Sequence, residues 1–217
     1  MLYSRSRGTL ELHLRSKICN SNPATNILTF QKASLPRYLT QEEVRRLFAV
    51  ISSPRDRALF ALIYHYGLRV EEATLLTLES VDLKNLHLRI HRLKNGVSSQ
   101  KPLWRHNAKL LRSYLRVRQD TGHWLFTGRQ GPLKKRQIQT LFTEYAKKTG
   151  IKGRSVHGLR HSIAVHLLEA GQGIEYVADH LGHKNIQNTR IYAQITTALR
   201  QEVFAKLERY PKIVRVL

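Results

Sequence analysis

The segment SPRDRALFALIYHYG, residues 53–67, is nearly all apolar after its charged start and closes on a glycine. A helix that is hydrophobic on all sides must be surrounded by other elements, so we expect this one at the centre of the core. The preceding segment, LTQEEVRRLFAVI, carries the capping pair Thr40 and Glu43 and an apolar helical face. A third helix begins in LRVEEATLLTL after Gly67. The chain therefore predicts a domain in which helices pack around residues 53–67.

The periodicity changes in LHLRIH, residues 86–91, where apolar and polar residues alternate as in a half-buried strand. The pair Asn95 and Gly96 is typical of a two-residue turn, which predicts an antiparallel hairpin with Lys94 at its tip. Helical spacing then returns, and the further predicted helices cover residues 108–118, 134–148, 155–170, 174–181, 186–192 and 196–209. The predicted fold class is mainly α with one small antiparallel β-sheet.

Three regions follow from this pattern. Residues 1–36 have weak periodicity and end at a proline that interrupts helix, so we expect an N-terminal extension there. Residues 37–197 hold most of the predicted helices and the hairpin, and we expect them to form one folded domain. Residues 198–217 are expected to be a helical C-terminal tail, because apolar residues recur there at helical spacing.

Charge and composition narrow the class of partner. The chain has 37 Lys and Arg against 15 Asp and Glu, a net charge of +22, which predicts a polyanion: nucleic acid or an anionic membrane surface. No stretch reaches the ~20 apolar residues that cross a bilayer, and the N-terminus lacks the apolar core of a secretory signal. Cys19 is the single cysteine, which excludes an internal disulfide. We therefore expect a cytoplasmic protein that binds nucleic acid and no membrane.

A basic run opens the helix predicted over residues 134–148. Its members, Lys134, Lys135 and Arg136, are candidate contacts to nucleic-acid phosphates. A solvated basic turn at the start of a helix is the alternative interpretation.

Histidines are concentrated in HGLRHSIAVHLLEAG, residues 157–171, and around LGHKNIQNTRIY, residues 181–192. A metal site would use His157, His161, His180 and His183. Structural zinc usually recruits cysteine, and catalytic zinc usually pairs histidines with a nearby carboxylate, so this pattern does not favour metal. A packing or capping role is the alternative for His161, His166 and His180.

A phosphate site suits the same segments better. His157 and Arg160 are three residues apart at a helix start, so they share a face near the positive end of that helix. The planar fork of an arginine matches the paired oxygens of a phosphate. Arg69 opens another helix directly after a glycine break. Two arginines, two histidines, a lysine at a hairpin tip and a late tyrosine together predict phosphoryl transfer without a metal.

Four segments resemble the conserved boxes of the tyrosine recombinases, also called phage integrases: GLRVEEATLLTL, RLKNGVSSQKPL, HGLRH and LGHKNIQNTRIY. They stand in the order of that family, and the resemblance runs from about Pro36 to Ala193. The hairpin IHRLKNGVSSQKPL is most similar to that of the short fimbrial phase-variation recombinases. The resemblance implies the catalytic fold of these DNA breaking and rejoining enzymes.

The resemblance also implies a role for each matching residue, with no metal and no nucleotide cofactor. Tyr192 would attack a DNA phosphate and leave a 3′-phosphotyrosyl link, while Lys94 protonates the departing 5′-oxygen. Two arginines would hold the non-bridging oxygens, and His157 would help to manage the proton of the tyrosine. His183 would hydrogen-bond the phosphate, and an acidic residue would orient the site. The residues at the family's positions are Arg69, Lys94, His157, Arg160, His183 and Tyr192, with Glu72 at the acidic position.

Lys101 and Arg92 are alternatives to Lys94, and Tyr176 and Tyr210 are alternative phenols without the family's spacing. The family usually places a core-binding domain before the catalytic one, for which residues 1–36 are too few. We expect a site-specific recombinase of double-stranded DNA that assembles as a homotetramer on synapsed sites, with an accessory DNA-bending protein as a further partner. The alternatives are a catalytically degenerate protein that occupies recombination sites, and a relaxing enzyme similar to type IB topoisomerases.

Overall fold

A computed structural model describes residues 37–93, 98–128, 131–189 and 191–192. The helices, apart from a 3-10 turn at Leu78–Ser80, are α1 Gln41–Val50, α2 Pro54–His65, α3 Val70–Thr74, α4 Arg105–Val117, α5 Lys135–Lys148, α6 Val156–Glu169 and α7 Ile174–Leu181. The strands are β1 Val81–Asp82, β2 His87–Ile90, β3 Ser99–Pro102, β4 Thr127–Gly128 and β5 Gly131–Pro132. The prediction of a mainly helical fold is confirmed.

Helix α2 lies at the centre of the core, as its composition predicts. Ser53 caps its N-terminus by accepting a hydrogen bond from the Asp56 amide, and Pro54 occupies the first turn, where its missing N–H costs nothing. Residues 58–63 are all buried, and the helix packs against α4 and α6. Since residues 58–63 of α2 are covered on every face, the elements that carry the candidate site are arranged around this part of the helix.

Helix α1 begins with the predicted capping box. The Thr40 hydroxyl accepts from the Glu43 amide at 3.1 Å, and the Glu43 carboxylate accepts from the Thr40 amide at 2.8 Å. These two bonds satisfy donors that the first helical turn would otherwise leave without partners. Leu47 is fully buried, so the apolar face of α1 is directed into the core.

The sheet is larger than the sequence predicts. Strands β1, β2 and β3 form an antiparallel sheet in that order, with Ile90 opposite Ser99. Leu88 and Ile90 are buried between exposed neighbours, which confirms the alternation. The prediction of one sheet was incomplete, because β4 and β5 pair in a second one, and strands of two residues are too short to show a period. The predicted turn at Asn95 and the tip residue Lys94 lie outside the described residues.

Helices α6 and α7 match the predicted segments to within a residue at each end. Gly182 ends α7 with φ +67°, a left-handed conformation that glycine adopts at little cost. Its reversal of the backbone leads the chain directly into His183. Residues 187–189 and 191–192 are helical within the helix predicted over 186–192, and the helix predicted over 196–209 lies outside the described residues.

In the part of the chain that the structure describes, no helix has the length and apolar character needed to cross a membrane.

Candidate active site

Arg160 lies in the middle of the candidate site, on the first turns of α6. Its side chain is 2% exposed. The guanidinium donates to the Gly67 carbonyl and to the Leu181 carbonyl, the latter at 3.0 Å, and Nη2 stands 2.9 Å from Nε2 of His183. Burial, together with the charges of Arg69 and Arg92, lowers the pKa of Arg160 to about 9. The group is still a cation at neutral pH and is held in one place.

Glu72 joins the two predicted arginines. As the third residue of α3, its carboxylate accepts from the Arg69 amide at 2.9 Å and from Arg69 Nη1 at 2.7 Å. The same carboxylate is 4.0 Å from Arg160 Nη1 and is wholly buried, whereas the Arg69 side chain is 22% exposed. One edge of Arg69 is therefore accessible to a ligand while the other is fixed by Glu72.

The electrostatics of this cluster favour an anion. Burial by itself raises the pKa of Glu72, but the charge of Arg92 and hydrogen bonds from Arg69 and Arg92 outweigh it, so the pKa lies below its usual value. The ionised carboxylate offsets only one of the three guanidinium charges around it. The remaining positive charge, in a partly dry site, suits a phosphodiester.

His183 follows the αL turn at Gly182 and contacts Arg160. Because a guanidinium only donates, His183 Nε2 accepts from Arg160, and the ring proton on Nδ1 points to the Thr189 hydroxyl at 2.8 Å. Burial, together with the charges of Arg160 and Arg69, lowers the pKa of His183 to about 4. The ring is therefore neutral in this arrangement and stands beside the guanidinium of Arg160.

Tyr192 is 2% exposed, and its hydroxyl lies 2.7 Å from Nδ1 of His161. Burial raises the pKa of Tyr192 to about 12, although Arg160 and Arg69 act in the opposite direction. Burial also lowers the pKa of His161 to about 4, with His157 and Arg160 adding to the effect. The phenol therefore keeps its proton and donates a hydrogen bond to a neutral imidazole.

His161 does more than the packing or capping interpretation gives it, since its ring also accepts a hydrogen bond from the candidate nucleophile. His161 follows His157 by four residues and so lies on the same helical face, which is the signal in the sequence that could have identified it. The rings of His157 and His161 pack edge-on with centroids 4.6 Å apart. His157 thus lies next to the hydrogen-bond partner of Tyr192. The same interpretation is confirmed for His166, which bonds the Tyr64 hydroxyl, and for His180, which bonds the His65 carbonyl.

A small cavity of about 280 Å³ opens beside Arg69 and His157. Lys135 also lines it, and its Nζ pairs with the Glu71 carboxylate at 2.6 Å. Burial lowers the pKa of His157, and Arg160 and Arg69 contribute to this lowering. The cavity therefore has a neutral imidazole and accessible cations at its edge.

The other two residues of the basic run at the start of α5 face a different space. Lys134 and Arg136 are exposed and, together with Arg55, line an open cavity of about 790 Å³. The run of three basic residues is thus divided: Lys135 lines the cavity beside Arg69, and Lys134 and Arg136 line the other cavity with Arg55.

The two alternatives to Lys94 form ion pairs with other residues. Lys101 Nζ pairs with Asp179 at 2.6 Å, and the Arg92 side chain has no exposed surface. Tyr176, the alternative phenol in the described residues, is half exposed and stacks on His180. The structure thus brings together six of the residues predicted at the family's positions, by direct contacts or through shared neighbours: Arg69, Glu72, His157, Arg160, His183 and Tyr192.

Within the described ranges, no group of three or more His, Cys, Asp or Glu side chains is arranged to hold a metal ion. Three of the four histidines of the metal interpretation have other partners: His161 binds Tyr192, His180 binds a carbonyl, and His183 binds Arg160 and Thr189.

Residues 37–198 match the profile of the phage integrase family. The tyrosine recombinase XerA of Pyrococcus horikoshii is 33% identical over 177 residues, 80% of this chain and 62% of that protein. XerA of Thermococcus kodakarensis is 35% identical over 190 residues, 85% of this chain and 66% of that protein. A tyrosine recombinase XerC of Neisseria meningitidis serogroup C is 36% identical over 176 residues, 76% of this chain and 57% of that protein. The chain thus spans less than two thirds of the length of these curated relatives.

Solved structures agree at the level of the fold. A crystal structure of XerA recombinase superposes with a TM-score of 0.70 at 28% identity, over 81% of this chain and 67% of that one. A post-cleavage complex of XerH recombinase with a palindromic difH substrate superposes with a TM-score of 0.69 at 21% identity, over 81% of this chain and 54% of that one.

Proposed function

The chain belongs to the phage integrase family of tyrosine recombinases, and we propose that it cuts and rejoins double-stranded DNA at specific sites through a 3′-phosphotyrosine intermediate. The observation that carries the proposal is a buried phenol, Tyr192, in one site with the paired cations Arg69 and Arg160. An arginine pair can bind a phosphodiester, and a phenol beside it can attack the phosphorus. The recombinase names of XerA and XerC support the same activity.

In the proposed step, the Tyr192 oxygen forms a bond to phosphorus as the bond from phosphorus to the 5′-oxygen breaks. The phenolic proton moves to Nδ1 of His161, which already accepts its hydrogen bond. Lys94 supplies the proton that the 5′-oxygen takes up on leaving. We predicted His157 as the group that manages the phenolic proton; the 2.7 Å contact favours His161, with His157 packed against it.

The pKa values explain why the free protein would be unreactive. A phenol with a pKa of about 12 and an imidazole with a pKa of about 4 do not exchange a proton at neutral pH. A bound phosphodiester would offset the charges of Arg69 and Arg160, which raises the proton affinity of His161 and that of the Tyr192 oxygen alike. Proton transfer to His161 would therefore accompany the formation of the bond from the Tyr192 oxygen to phosphorus, which requires a phosphodiester in the site.

Arg69 and Arg160 would act mainly on the transition state. Negative charge grows on the non-bridging oxygens as the phosphorus becomes five-coordinate, and fixed donors stabilise it without rearranging. Loss of one such donor typically costs roughly 100-fold to 1,000-fold in rate. His183 lies next to Arg160 and would contact the same oxygens once its ring proton is on Nε2 instead of Nδ1.

The remaining parts of the proposal concern the assembly. Three exposed basic residues would contact the DNA backbone: Lys135, which lines the cavity beside Arg69, and Lys134 and Arg136, which line the larger cavity with Arg55. We further propose a homotetramer on synapsed sites, with a C-terminal tail from residue 198 and an accessory DNA-bending protein. The similarity of the hairpin to the short fimbrial phase-variation type stays a prediction.

A nicked suicide substrate tests the proposal. The protein should become covalently attached to the 3′ side of the break, because the short 5′-hydroxyl fragment diffuses away and cannot reverse the reaction. Tyr192→Phe should bind the same DNA and form no covalent product, and Arg160→Ala should reduce trapping roughly 100-fold or more. Tyr176→Phe is the matched control, since it removes an exposed phenol and should trap as the unmodified protein does.

Three outcomes would contradict the proposal. Binding without any covalent product would favour the degenerate site-occupying protein. Trapping with no preference among DNA sequences would favour the topoisomerase-like relaxing enzyme. Attachment through a 5′-phosphate would show that the chemistry is of another kind.

A further inference from the structure

Arg92 lies two residues after the end of strand β2 and is the cation that Glu72 binds besides Arg69. Its side chain has no exposed surface. Nη1 donates to the Glu72 carboxylate at 2.7 Å and to the Gly67 carbonyl at 3.3 Å. Nη2 donates to the carbonyls of Tyr66 at 3.0 Å and His180 at 2.9 Å. One guanidinium therefore connects the sheet, the turn before Arg69, the acid of α3 and the end of α7.

The last turn of α7 shows what this connection fixes. Three consecutive carbonyls there accept from cations of three different segments: Asp179 from Lys101 at 3.2 Å, His180 from Arg92 at 2.9 Å, and Leu181 from Arg160 at 3.0 Å. The final carbonyls of a helix lack partners within it and carry its negative end. Cations from β3, from the end of β2 and from α6 therefore converge on the turn that precedes His183.

Gly182 shows how closely Arg92 is packed against this turn. A Cβ added at Gly182 would lie 2.7 Å from Nε of Arg92, closer than two such atoms can approach. The guanidinium thus occupies the space that a side chain would take. A shift of the Arg92 side chain would therefore change the space available to the backbone that leads into His183.

We propose that Arg92 is a positioning residue for the reaction: its guanidinium joins the β2–β3 hairpin to Glu72 and to the end of α7, and so sets the places of Arg69, Arg160 and His183. The inference rests on the proposed function. A buried ion pair adds little stability compared with apolar residues of the same shape, so stability alone gives no reason for a charged pair here. Because Arg92 is covered on all sides, it affects the rate of the chemical step and makes no contact with DNA.

The test compares Arg92→Met with Arg89→Met. Both variants lose one positive charge near the same strand, but Arg89 is exposed on β2. Arg92→Met should bind the suicide substrate as well as Arg89→Met does. Its rate of covalent trapping at saturating DNA should fall about 100-fold, because a misplacement of about 1 Å in a catalytic group can have that effect. Equal trapping rates for the two variants would overturn the inference.

The pH profile separates positioning from a general structural role. Burial raises the pKa of Glu72 and Arg92 is the main influence that lowers it, so removal of Arg92 raises that pKa. The residual trapping by Arg92→Met should therefore disappear as the pH falls through the new pKa of Glu72, at a pH where the unmodified protein keeps this carboxylate ionised. When Glu72→Gln is added to Arg92→Met, this dependence on acid pH should no longer be seen, because position 72 then has no group that titrates. A profile parallel to that of the unmodified protein would contradict the role.

If Arg92→Met does not fold, Arg92→Lys is tested in its place. The lysine keeps the charge opposite Glu72, but its single ammonium group cannot reach the Tyr66 and His180 carbonyls together. We expect slower trapping with no new loss of trapping at acid pH. A rate equal to that of Arg89→Met would overturn the inference.

A readout without DNA distinguishes this inference from the proposed function. The ¹⁵N resonances of the His183 ring report its bond from Arg160, and they should shift in Arg92→Met but not in Arg89→Met. If the unmodified protein forms no covalent complex and the shift is still seen, the proposed function fails and the positioning by Arg92 stands. If the protein traps DNA and the two variants agree in rate and in resonances, the positioning fails alone.

Discussion

At the level of single residues, the contact between Tyr192 and His161 gives a direct prediction. His161→Phe keeps a ring of similar size in α6 but removes the acceptor, which lies 2.7 Å from the phenolic oxygen. Covalent trapping at saturating DNA should slow by roughly 100-fold, the lower range of general-base effects. DNA binding should persist, because His161 lies inside the site. The measurement is single-turnover trapping together with a binding titration.

His157→Phe is the comparison that assigns the proton acceptor. The His157 ring packs against His161, and it is His161 that accepts the phenolic hydrogen bond. The loss of trapping rate in His157→Phe should therefore be smaller than in His161→Phe. His123→Phe removes an exposed imidazole outside the site and should have no effect. A large loss in His157→Phe with normal trapping in His161→Phe would return the role to His157.

At the level of secondary-structure elements, a buried hydrogen bond joins α2 to α5. The Tyr145 hydroxyl donates to the Asp56 carboxylate at 2.9 Å, and both side chains are buried. Tyr145→Phe leaves this acceptor without one partner, so the free energy of unfolding should fall by about 1–2 kcal/mol in urea titrations. Tyr176→Phe, at an exposed position of α7, should change it by less than about 0.5 kcal/mol.

The same pair gives this prediction a pH signature. Burial, with the hydrogen bond and charge of Asp56, raises the pKa of Tyr145 from 10.0 to about 12. A raised pKa stabilises the folded state fully below pH 10 and progressively less as the pH approaches about 12. The stability difference between the unmodified protein and Tyr145→Phe should therefore shrink over this range. A constant difference up to pH 12 would argue against the pairing.

For the molecule as a whole, the net charge of +22 predicts that DNA affinity falls steeply with salt. Replacing Lys134, Lys135 and Arg136 with Ala should weaken binding to any sequence and reduce the salt slope by about 0.9 for each DNA phosphate that is no longer neutralised. The matched control removes three exposed charges at and beyond the other end of α5: Lys147, Lys148 and Lys152. Equal reductions in affinity in both variants would mean that charge alone, and not this surface, sets the affinity.

Local patterns in the sequence were sufficient for the features that depend on neighbours along the chain. The capping pair Thr40 and Glu43 and the alternation around Leu88 each involve residues within a few positions, so such patterns report them. The bounds of α6 and α7 were predictable for the same reason. The family's boxes identified Arg69, Arg160 and Tyr192 as candidates without stating how the folded chain arranges them. Strands β4 and β5 were missed because two residues have no period.

Tertiary packing was needed to establish which groups contact one another. His161 meets Tyr192 across 31 positions, and Arg92 reaches the His180 carbonyl across 88. Contacts at such separations depend on how α6, α7 and the hairpin pack around α2, which no local period encodes. Burial also set the protonation states, raising the pKa of Tyr192 and lowering that of His161. Residue types and order follow from the sequence, whereas the partners and charges of the site follow from packing, because desolvation and hydrogen bonding act only between groups that the fold brings together.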